Sequence, residues 1–265
     1  MVLRNTAVLI IGLILVLSAS TVGSGQTAEE SKGGTSGAEF DFNSKYIWRS
    51  LAFSKGAVGQ PSAFVGYAGL TFQIWSNFVL NPADPHLHRF NEIDYRLSYQ
   101  RNIGDFTITP AFTAYSYPNQ TAGEVPITGE AEIQIAYDLG AFTLETTHFL
   151  DVWANKGGYV GEIGLQFEKE AGAGLTLNAA ARLLFANARF NAYYIGAGTP
   201  GGIDSLVLEA GATVAVGSGF YVRPHLEYNT VLDSAVRAAI VFSGQVSVRK
   251  PDLFNLGIAF GCSFE

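Results

Sequence analysis

Cysteine and basic residues are both scarce in this chain. It has one cysteine in 265 residues, so no disulfide can form within it. Lys and Arg number 16 against 23 Asp and Glu, a formal net charge of minus 7. Because nucleic acids are bound mainly through basic patches, we do not expect a nucleic acid partner. The lone Cys262 lies among apolar residues, and we interpret it as a small hydrophobic side chain.

Long hydrophobic runs are also absent beyond the N-terminus. Ala7–Leu17 follows Arg4 and is apolar, but it is too short for a spanning helix, which needs roughly 20 residues. A basic start, a short apolar run and small residues after it predict a cleaved secretory signal peptide over residues 1–24. Residues 25–37 are rich in Gly, Ser, Thr and Glu, which predicts a flexible periplasmic leader. Residues 38–265 form the remaining domain.

That domain shows alternation with a period of two instead of helical periodicity. In the segment from Phe254 to Phe264, apolar side chains occupy every second position, and small or polar residues lie between them. Successive side chains of a strand point to opposite faces, so this segment is a strand with one apolar face. The same alternation recurs along the chain, which predicts an all-β fold.

Strand boundaries and loop lengths predict an up-and-down antiparallel barrel. Short turns near residues 69, 104, 140, 172, 218 and 251 alternate with longer loops near 55, 85, 122, 155, 197 and 233. Outer-membrane barrels have short periplasmic turns, longer external loops and even strand numbers. The pattern gives thirteen candidate strands, Leu175–Phe190 and Arg237–Val248 among them, which is one more than an even number allows. Ser62–Ala68 is the weakest segment, so we expect about twelve strands, with ten to fourteen possible.

A soluble barrel would share this alternation, with its charges outside and its aromatic residues inside. Strand number, signal peptide and turn asymmetry favour a transmembrane barrel. Its charged residues must then face the lumen, because a charge on the lipid face costs up to about 2–4 kcal/mol at the midplane. We predict the pore-lining residues to be Arg49, Asp94, Arg96, Glu132, Glu162, Arg182, Glu209, Arg223, His225, Glu227 and Arg237.

The segment Asn43–Ser50, with Gln60-Pro61, Gly66, Gly69 and Trp75-Ser76-Asn77 after it, resembles the N-terminal signature of the TorF family of outer-membrane porins. In that family a strand ending in Arg-Gly precedes a Gly-rich hairpin, whereas here Ser50 replaces the glycine. The resemblance covers roughly the first third of the mature chain. It implies an outer-membrane barrel channel without a defined substrate or binding site.

The predicted function is a porin-like channel in the outer membrane of a Gram-negative-type bacterium, passing small hydrophilic solutes or ions. Acids outnumber bases, so weak cation preference is expected. The expected partners are outer-membrane lipid, the barrel-assembly machinery acting on the C-terminal strand, and the solutes. We predict no enzymatic activity, cofactor or metal site. The alternatives are a closed structural or adhesive barrel and, third, an outer-membrane lipid hydrolase.

Overall fold

The computed structural model describes residues 33–84, 87–119 and 127–265. The predicted signal peptide and most of the predicted leader lie outside these ranges. Strand β1 begins at Gly34, so the last residues assigned to the leader belong to the folded domain. Among the described residues, no helix is long and apolar enough to cross a membrane.

Antiparallel strands make up most of the described chain. The strands are β1 Gly34–Asn43, β2 Ile47–Trp48, β3 Leu51–Ala52, β4 Val58–Tyr67, β5 Leu70–Val79, β6 Phe90–Tyr99, β7 Arg101–Ile103, β8 Phe106–Ser116, β9 Ile127–Asp138, β10 Phe142–Asp151, β11 Tyr159–Gly172, β12 Leu175–Ala186, β13 Gly202–Gly217, β14 Phe220–Val231 and β15 Asp252–Phe264. Within the described residues, two helices interrupt them, α1 at Ala188–Tyr194 and α2 at Ser234–Phe242.

The strands form a closed antiparallel barrel. Each long strand pairs with its neighbour in sequence, β1 pairs with β15, and β6 pairs with β8. Strand β7 continues β6 in the same register against β8. The ladder breaks where the register places Tyr99 opposite Pro110, which has no backbone N–H to donate. Counting β6 and β7 as one, twelve strands close the barrel, as predicted.

The count of twelve is correct, but the reason given for it is wrong. All of the segment Ser62–Ala68 except its last residue lies in β4, which is a full barrel strand. The superfluous strand is Arg237–Val248, where the chain instead forms α2 and an irregular segment. Asp233 caps this helix, because its Oδ1 accepts from the backbone N–H groups of Ala235 (2.8 Å) and Val236 (2.9 Å). The predicted turn near residue 251 is therefore the end of a long loop, 232–251.

The predicted strand Leu175–Phe190 also runs too far. Strand β12 ends at Ala186, and Asn187 then caps α1, with its Oδ1 accepting from the Phe190 N–H at 2.9 Å. The same oxygen accepts from the Tyr159 N–H at 3.2 Å, which joins the helix start to β11. An Asn with extended backbone is a favoured helix cap, and here it ends the alternation.

The barrel faces follow the predicted alternation. On β15, Phe254, Leu256, Ile258, Phe260 and Phe264 are exposed on the outside, and exposed apolar side chains recur around the other strands. Cys262 has the same parity but is buried, and it packs with Ala38 and Ala63. The outer face is thus an apolar surface, whereas polar and charged side chains collect inside.

The small residues of β15 are explained by side chains that cross it. Tyr221 of β14 reaches over β15 to β1, and its hydroxyl donates to Glu39 at 2.8 Å. A Cβ on Gly261 would lie 2.3 Å from the Tyr221 ring and 2.8 Å from the Ala38 carbonyl oxygen. A Cβ on Gly257 would likewise lie 2.3 Å from the His225 ring. Glycine is required here because it leaves room for luminal side chains to lie across the strand.

We expect Gly261→Ala to destabilise the barrel by about 1–3 kcal/mol, the usual cost of overpacking. The added methyl displaces Tyr221 and presses on the Ala38 backbone. Gly202→Ala is the matched control, since its Cβ would meet nothing within 4 Å. Unfolding is measured as loss of the heat-modifiable band on electrophoresis with rising temperature. Equal midpoints for the two variants would contradict the steric argument.

Candidate functional site: a hairpin inside the lumen

The loop between β1 and β4 folds into the barrel as a short hairpin, which we call the luminal hairpin, Ile47–Ala52. Trp48 pairs with Leu51, so Arg49 and Ser50 form a two-residue turn. Their φ angles are 50° and 62°, as in the type I′ turns that suit hairpins. For residues with a Cβ this left-handed conformation costs roughly 1–2 kcal/mol each. Contacts inside the barrel must therefore offset the strain.

The principal contact is a buried ion pair between Arg49 and Glu130 of β9. The guanidinium donates from Nη1 at 2.7 Å and from Nη2 at 2.6 Å to the two carboxylate oxygens. Both side chains are buried, at 5% and 3% exposed. The Tyr115 hydroxyl also donates to Glu130, at 2.8 Å. This bidentate geometry fixes the hairpin tip against the wall of the barrel.

Aromatic rings enclose the Arg49 guanidinium. Its Cζ lies 4.2 Å from the centroid of the Trp48 ring and 4.3 Å from that of Phe149, within the range of cation–π attraction. Burial alone lowers the pKa of Arg49, but the Glu130 carboxylate outweighs it and raises that pKa above its ordinary value. Arg49 is therefore a permanent cation, and Glu130 is its counter-charge.

Ser50 fixes the other side of the hairpin tip. Its hydroxyl lies 2.8 Å from the Ser205 hydroxyl on β13 and donates to the Asn229 amide oxygen on β14 at 3.0 Å. At the base of the hairpin loop, Tyr46 donates its backbone N–H to the Ser54 hydroxyl at 2.7 Å. The hairpin therefore contacts widely separated strands of the barrel wall.

The two helices hold the hairpin from the long-loop end. Helix α1 places Phe190 and Tyr194 against Trp48, with ring centroids 5.8 Å and 5.0 Å away. Helix α2 contributes to an apolar cluster around the other hairpin strand. This mouth cluster consists of Leu51, Ile195, Val231, Val236, Ile240 and Val246. The long-loop end of the lumen is thus narrowed by a small hydrophobic core.

A cavity of about 360 Å³ lies against the hairpin within the lumen. Aromatic residues from the hairpin loop and β5 line part of it, and charged groups of both signs line the rest. The charged lining comprises Arg49, Asp94, Arg96, Glu132, Glu162, Arg182, Glu209 and Glu227. A smaller cavity of about 80 Å³ shares Glu209 and Glu227 and adds Asp41, Arg223 and His225. Both cavities are large enough to hold water.

Several predicted site residues form ion pairs along the lumen wall. Arg96 of β6 donates to Glu132 of β9 at 2.6 Å. Arg182 of β12 pairs with Glu209 of β13 and lies 3.8 Å from Glu162 of β11.

Two further pairs cross β15 over its small residues. Arg223 donates to Glu39 at 2.7 Å, and His225 Nε2 lies 3.0 Å from each oxygen of Asp41.

Arg237 is the one predicted lumen residue that the structure places elsewhere. It lies on α2, partly exposed, and pairs with Asp252 at 2.7 Å on the outer side of the rim. The alternation around it predicts a strand, but residues 234–242 form a helix. The buried pair Val236 and Ile240 instead has the four-residue spacing of one helix face.

The main acidic partners were missed by the sequence analysis. Glu130, Glu39 and Asp41 are buried luminal carboxylates, but none was among the candidates. Parity was an available signal for Glu130, because it lies two residues before Glu132 and so on the same strand face. Its pairing with Arg49 joins positions far apart in sequence, and no local pattern predicts it.

On the outer face, His148 lies close to two hydroxyl groups. His148 Nε2 lies 3.2 Å from the Thr146 hydroxyl, and its Nδ1 lies 2.6 Å from the Tyr159 hydroxyl. However, Thr146 donates its proton to the Glu162 carbonyl oxygen at 2.8 Å. The imidazole therefore cannot accept that proton, and the arrangement does not activate a nucleophile. Over the described ranges, no group of His, Cys, Asp or Glu could hold a metal ion.

Solved structures of porins share this fold. A KdgM porin aligns with a TM-score of 0.53 at 9% identity, over 87% of this chain and 99% of that chain. A NanC porin aligns with a TM-score of 0.51 at 11% identity, over 88% of this chain and 100% of that chain. A KdgM porin in complex with disordered oligogalacturonate gives 0.50 at 8% identity, over 87% and 99%. At these identities the likeness establishes a shared barrel fold.

No family model matches the sequence, and no curated protein matches it.

The ion pair predicts that Glu130→Gln will release the luminal hairpin. Removing one partner of a buried pair costs about 3–5 kcal/mol, because the remaining charge is left uncompensated. Ala52 is fully buried, so a thiol placed there by Ala52→Cys, with Cys262→Ala, reports the hairpin position. We expect a membrane-impermeant maleimide to label this thiol in Glu130→Gln and not in the parent.

Glu132→Gln is the control, since it makes the same change on the same strand face but pairs with Arg96 rather than with the hairpin. Equal labelling of both variants would mean that the Arg49 ion pair does not hold the hairpin.

Proposed function

We propose that this protein is an outer-membrane, porin-like channel for small hydrophilic solutes or ions. The observation that carries the proposal is a lumen lined by charges of both signs inside a closed barrel with an apolar outer face. An apolar exterior suits lipid, and a charged, cavity-containing interior suits polar solutes. The porin neighbours support the barrel architecture, and the oligogalacturonate complex of one of them illustrates a hydrophilic solute for this fold.

Weak cation preference is the expected selectivity. Around the larger cavity, carboxylates outnumber arginines. Arg49 is neutralised by Glu130, which does not line the cavity, so Arg96 and Arg182 are the remaining cations. These carboxylates are Asp94, Glu132, Glu162, Glu209 and Glu227. An excess of negative charge along a pore raises the local concentration of cations. The proposed pore-lining set is therefore the predicted one without Arg237.

The location and further partners are proposed on the same basis. A cleaved signal peptide over residues 1–24 would export the chain, and the apolar outer face would contact outer-membrane lipid. Strand β15 carries the alternating aromatic pattern through which we expect the assembly machinery to recognise the barrel.

Membership of the TorF porin family is proposed from the residues around the luminal hairpin. Ser50, which replaces the family glycine, has a φ of 62°, a conformation that glycine adopts most readily. This agreement supports a shared hairpin. A TorF porin structure with no hairpin in its lumen would contradict the relationship.

A closed barrel with a structural or adhesive role is the second candidate function. The mouth cluster and the buried Arg49–Glu130 pair favour it, because together they narrow the long-loop end of the lumen. The two candidates differ in one measurable property, the passage of ions.

The refolded mature protein is expected to give stable single-channel steps in planar bilayers. Under a salt gradient, its reversal potential should have the sign of cation preference. A protein that migrates as a folded, heat-modifiable barrel yet gives no steps would favour the closed barrel. If the Glu130→Gln variant of such a silent barrel then conducted ions, the luminal hairpin would be the part that closes the lumen.

Charge neutralisation should identify which residues face the pore. Arg96→Gln removes a cation from the cavity wall and frees Glu132, so we expect a stronger cation preference in the reversal potential. Arg237→Gln is the matched control, because Arg237 lies on the outer rim and pairs with Asp252. Equal shifts for the two variants, or none for Arg96→Gln, would contradict the proposed lining.

A further inference from the structure

Asp94 of β6 is a luminal carboxylate without a countercharge. The arginines of the larger cavity are each paired with another acid, as Arg96 is with Glu132 at 2.6 Å. Among the ion pairs of the described residues, none includes Asp94. The charged groups that interact with Asp94 are Glu92 and Glu130, which are both acids. The cavity wall is therefore electronegative at Asp94.

One oxygen of this carboxylate also lacks a hydrogen-bond partner. Asp94 Oδ1 is enclosed by the protein, and no donor of the described residues reaches it. Buried polar atoms are nearly always hydrogen-bonded, because an unpaired one retains most of the cost of leaving water. The residue as a whole is partly exposed and lines the larger cavity. A cation in that cavity would supply the missing countercharge.

Aromatic rings lie on both sides of Asp94. Trp75 of β5 and Tyr115 of β8 are directly opposite it in the two strand pairs, so the three side chains form one row on the inner face. Tyr46 packs against Trp75, with ring centroids 5.5 Å apart. All four residues line the larger cavity. Because the faces of aromatic rings attract cations, this row suits an organic cation.

The same row does not suit a metal ion or an anion. Hard metal ions require several oxygen ligands, and over the described ranges no group of His, Cys, Asp or Glu could hold one. An anion would require a free arginine. The nearest one along this face, Arg96, donates to both oxygens of Glu132, at 3.0 Å and 2.6 Å.

The cavity has room for the rest of an organic cation. Its volume is about 360 Å³, within the range of roughly 300–1,000 Å³ for small-molecule sites. Gln73 and Thr113 flank Arg96 in the next inner row, and Gln73 lies beside Trp75 on the same strand face. Their amide and hydroxyl groups can hydrogen-bond an uncharged polar group. The matching solute has an ammonium group at one end and a neutral polar group at the other.

We propose that the larger cavity binds small organic cations with a primary ammonium group, and that Asp94 and Trp75 recognise that group. The inference rests on the proposed channel function and deepens it by naming the class of solute. The ammonium N–H groups donate to the Asp94 carboxylate, and the carbon chain lies against the Trp75 ring. Asp94 then determines which solute is retained, whereas the paired carboxylates contribute to the general charge of the lumen.

The test compares three solutes of equal chain length that differ at one end. They are 5-aminopentan-1-ol, which carries an ammonium, 1,5-pentanediol, which is neutral, and 5-hydroxypentanoate, which is an anion. Binding to the refolded mature protein in a non-ionic detergent is measured by calorimetry. We expect binding of the ammonium compound alone. Equal binding of the diol, or tighter binding of the anion, would overturn the proposal.

Two variants test the residues that carry the recognition. Asp94→Asn removes the charge at nearly constant shape, and the loss of a charge-assisted hydrogen bond should lower the affinity for 5-aminopentan-1-ol roughly tenfold or more. Trp75→Leu removes the ring and should lower it roughly threefold or more. Asp105→Asn is the matched control, because Asp105 is exposed in a short turn outside the cavity.

An unchanged affinity in Asp94→Asn would overturn the proposal, because it would mean that Asp94 is neutral or remote from the solute. Heat-modifiability shows whether each variant is folded. If Asp94→Asn does not fold, Trp75→Leu decides, and an affinity equal to that of the parent would overturn the role of the aromatic row.

Conductance separates this inference from the proposed function. In a conducting barrel, 5-aminopentan-1-ol should interrupt the single-channel current of the parent and of Asp105→Asn, with shorter interruptions in Asp94→Asn. A conducting barrel that does not bind the ammonium compound removes only the solute class. A folded barrel that binds it but gives no steps retains the site and contradicts the channel.

Discussion

Closure of the sheet is the constraint on which the rest of this structure depends. In lipid every backbone N–H and C=O must find a partner within the protein, so a spanning sheet has no free edge. The pairing of β1 with β15 meets that requirement. Once the sheet is closed, alternate side chains point either to the outside or into one shared interior. If the barrel lies in lipid, as proposed, the charged residues have no lipid-free place except the lumen, where they must find one another.

The luminal ion pairs are the consequence of that crowding. Arginines on one strand reach carboxylates one or two strands away, and the intervening strand must leave room for them. Gly257 and Gly261 on β15 show how this is done, because each lies beneath a side chain that crosses the strand. The apolar face of β15 suits the proposed lipid contact, and its small residues leave room inside the barrel for the side chains that cross the strand.

The luminal hairpin is the feature that separates an empty barrel from this one. A strained Arg-Ser turn is held by Glu130, by aromatic rings and by polar contacts to β13 and β14. The helices reinforce it from the long-loop end. Whatever passes through the barrel must pass the hairpin or displace it, which makes the Arg49–Glu130 pair the interaction most directly connected with the proposed function.

The sequence by itself determined the fold class and the two faces of the barrel, because these follow from alternation with a period of two, but it reached the count of twelve strands by discarding the wrong segment. It also placed Arg96, Glu132, Arg182 and Glu209 on the inner face. It failed at Arg237, where a short helix carries apolar residues that resemble a strand when its Asp233 cap is overlooked. Only the tertiary structure decided the partner of Arg49, the crossing of β15 and the position of the hairpin. These depend on contacts between residues distant in sequence, and such contacts exist only after the barrel has closed.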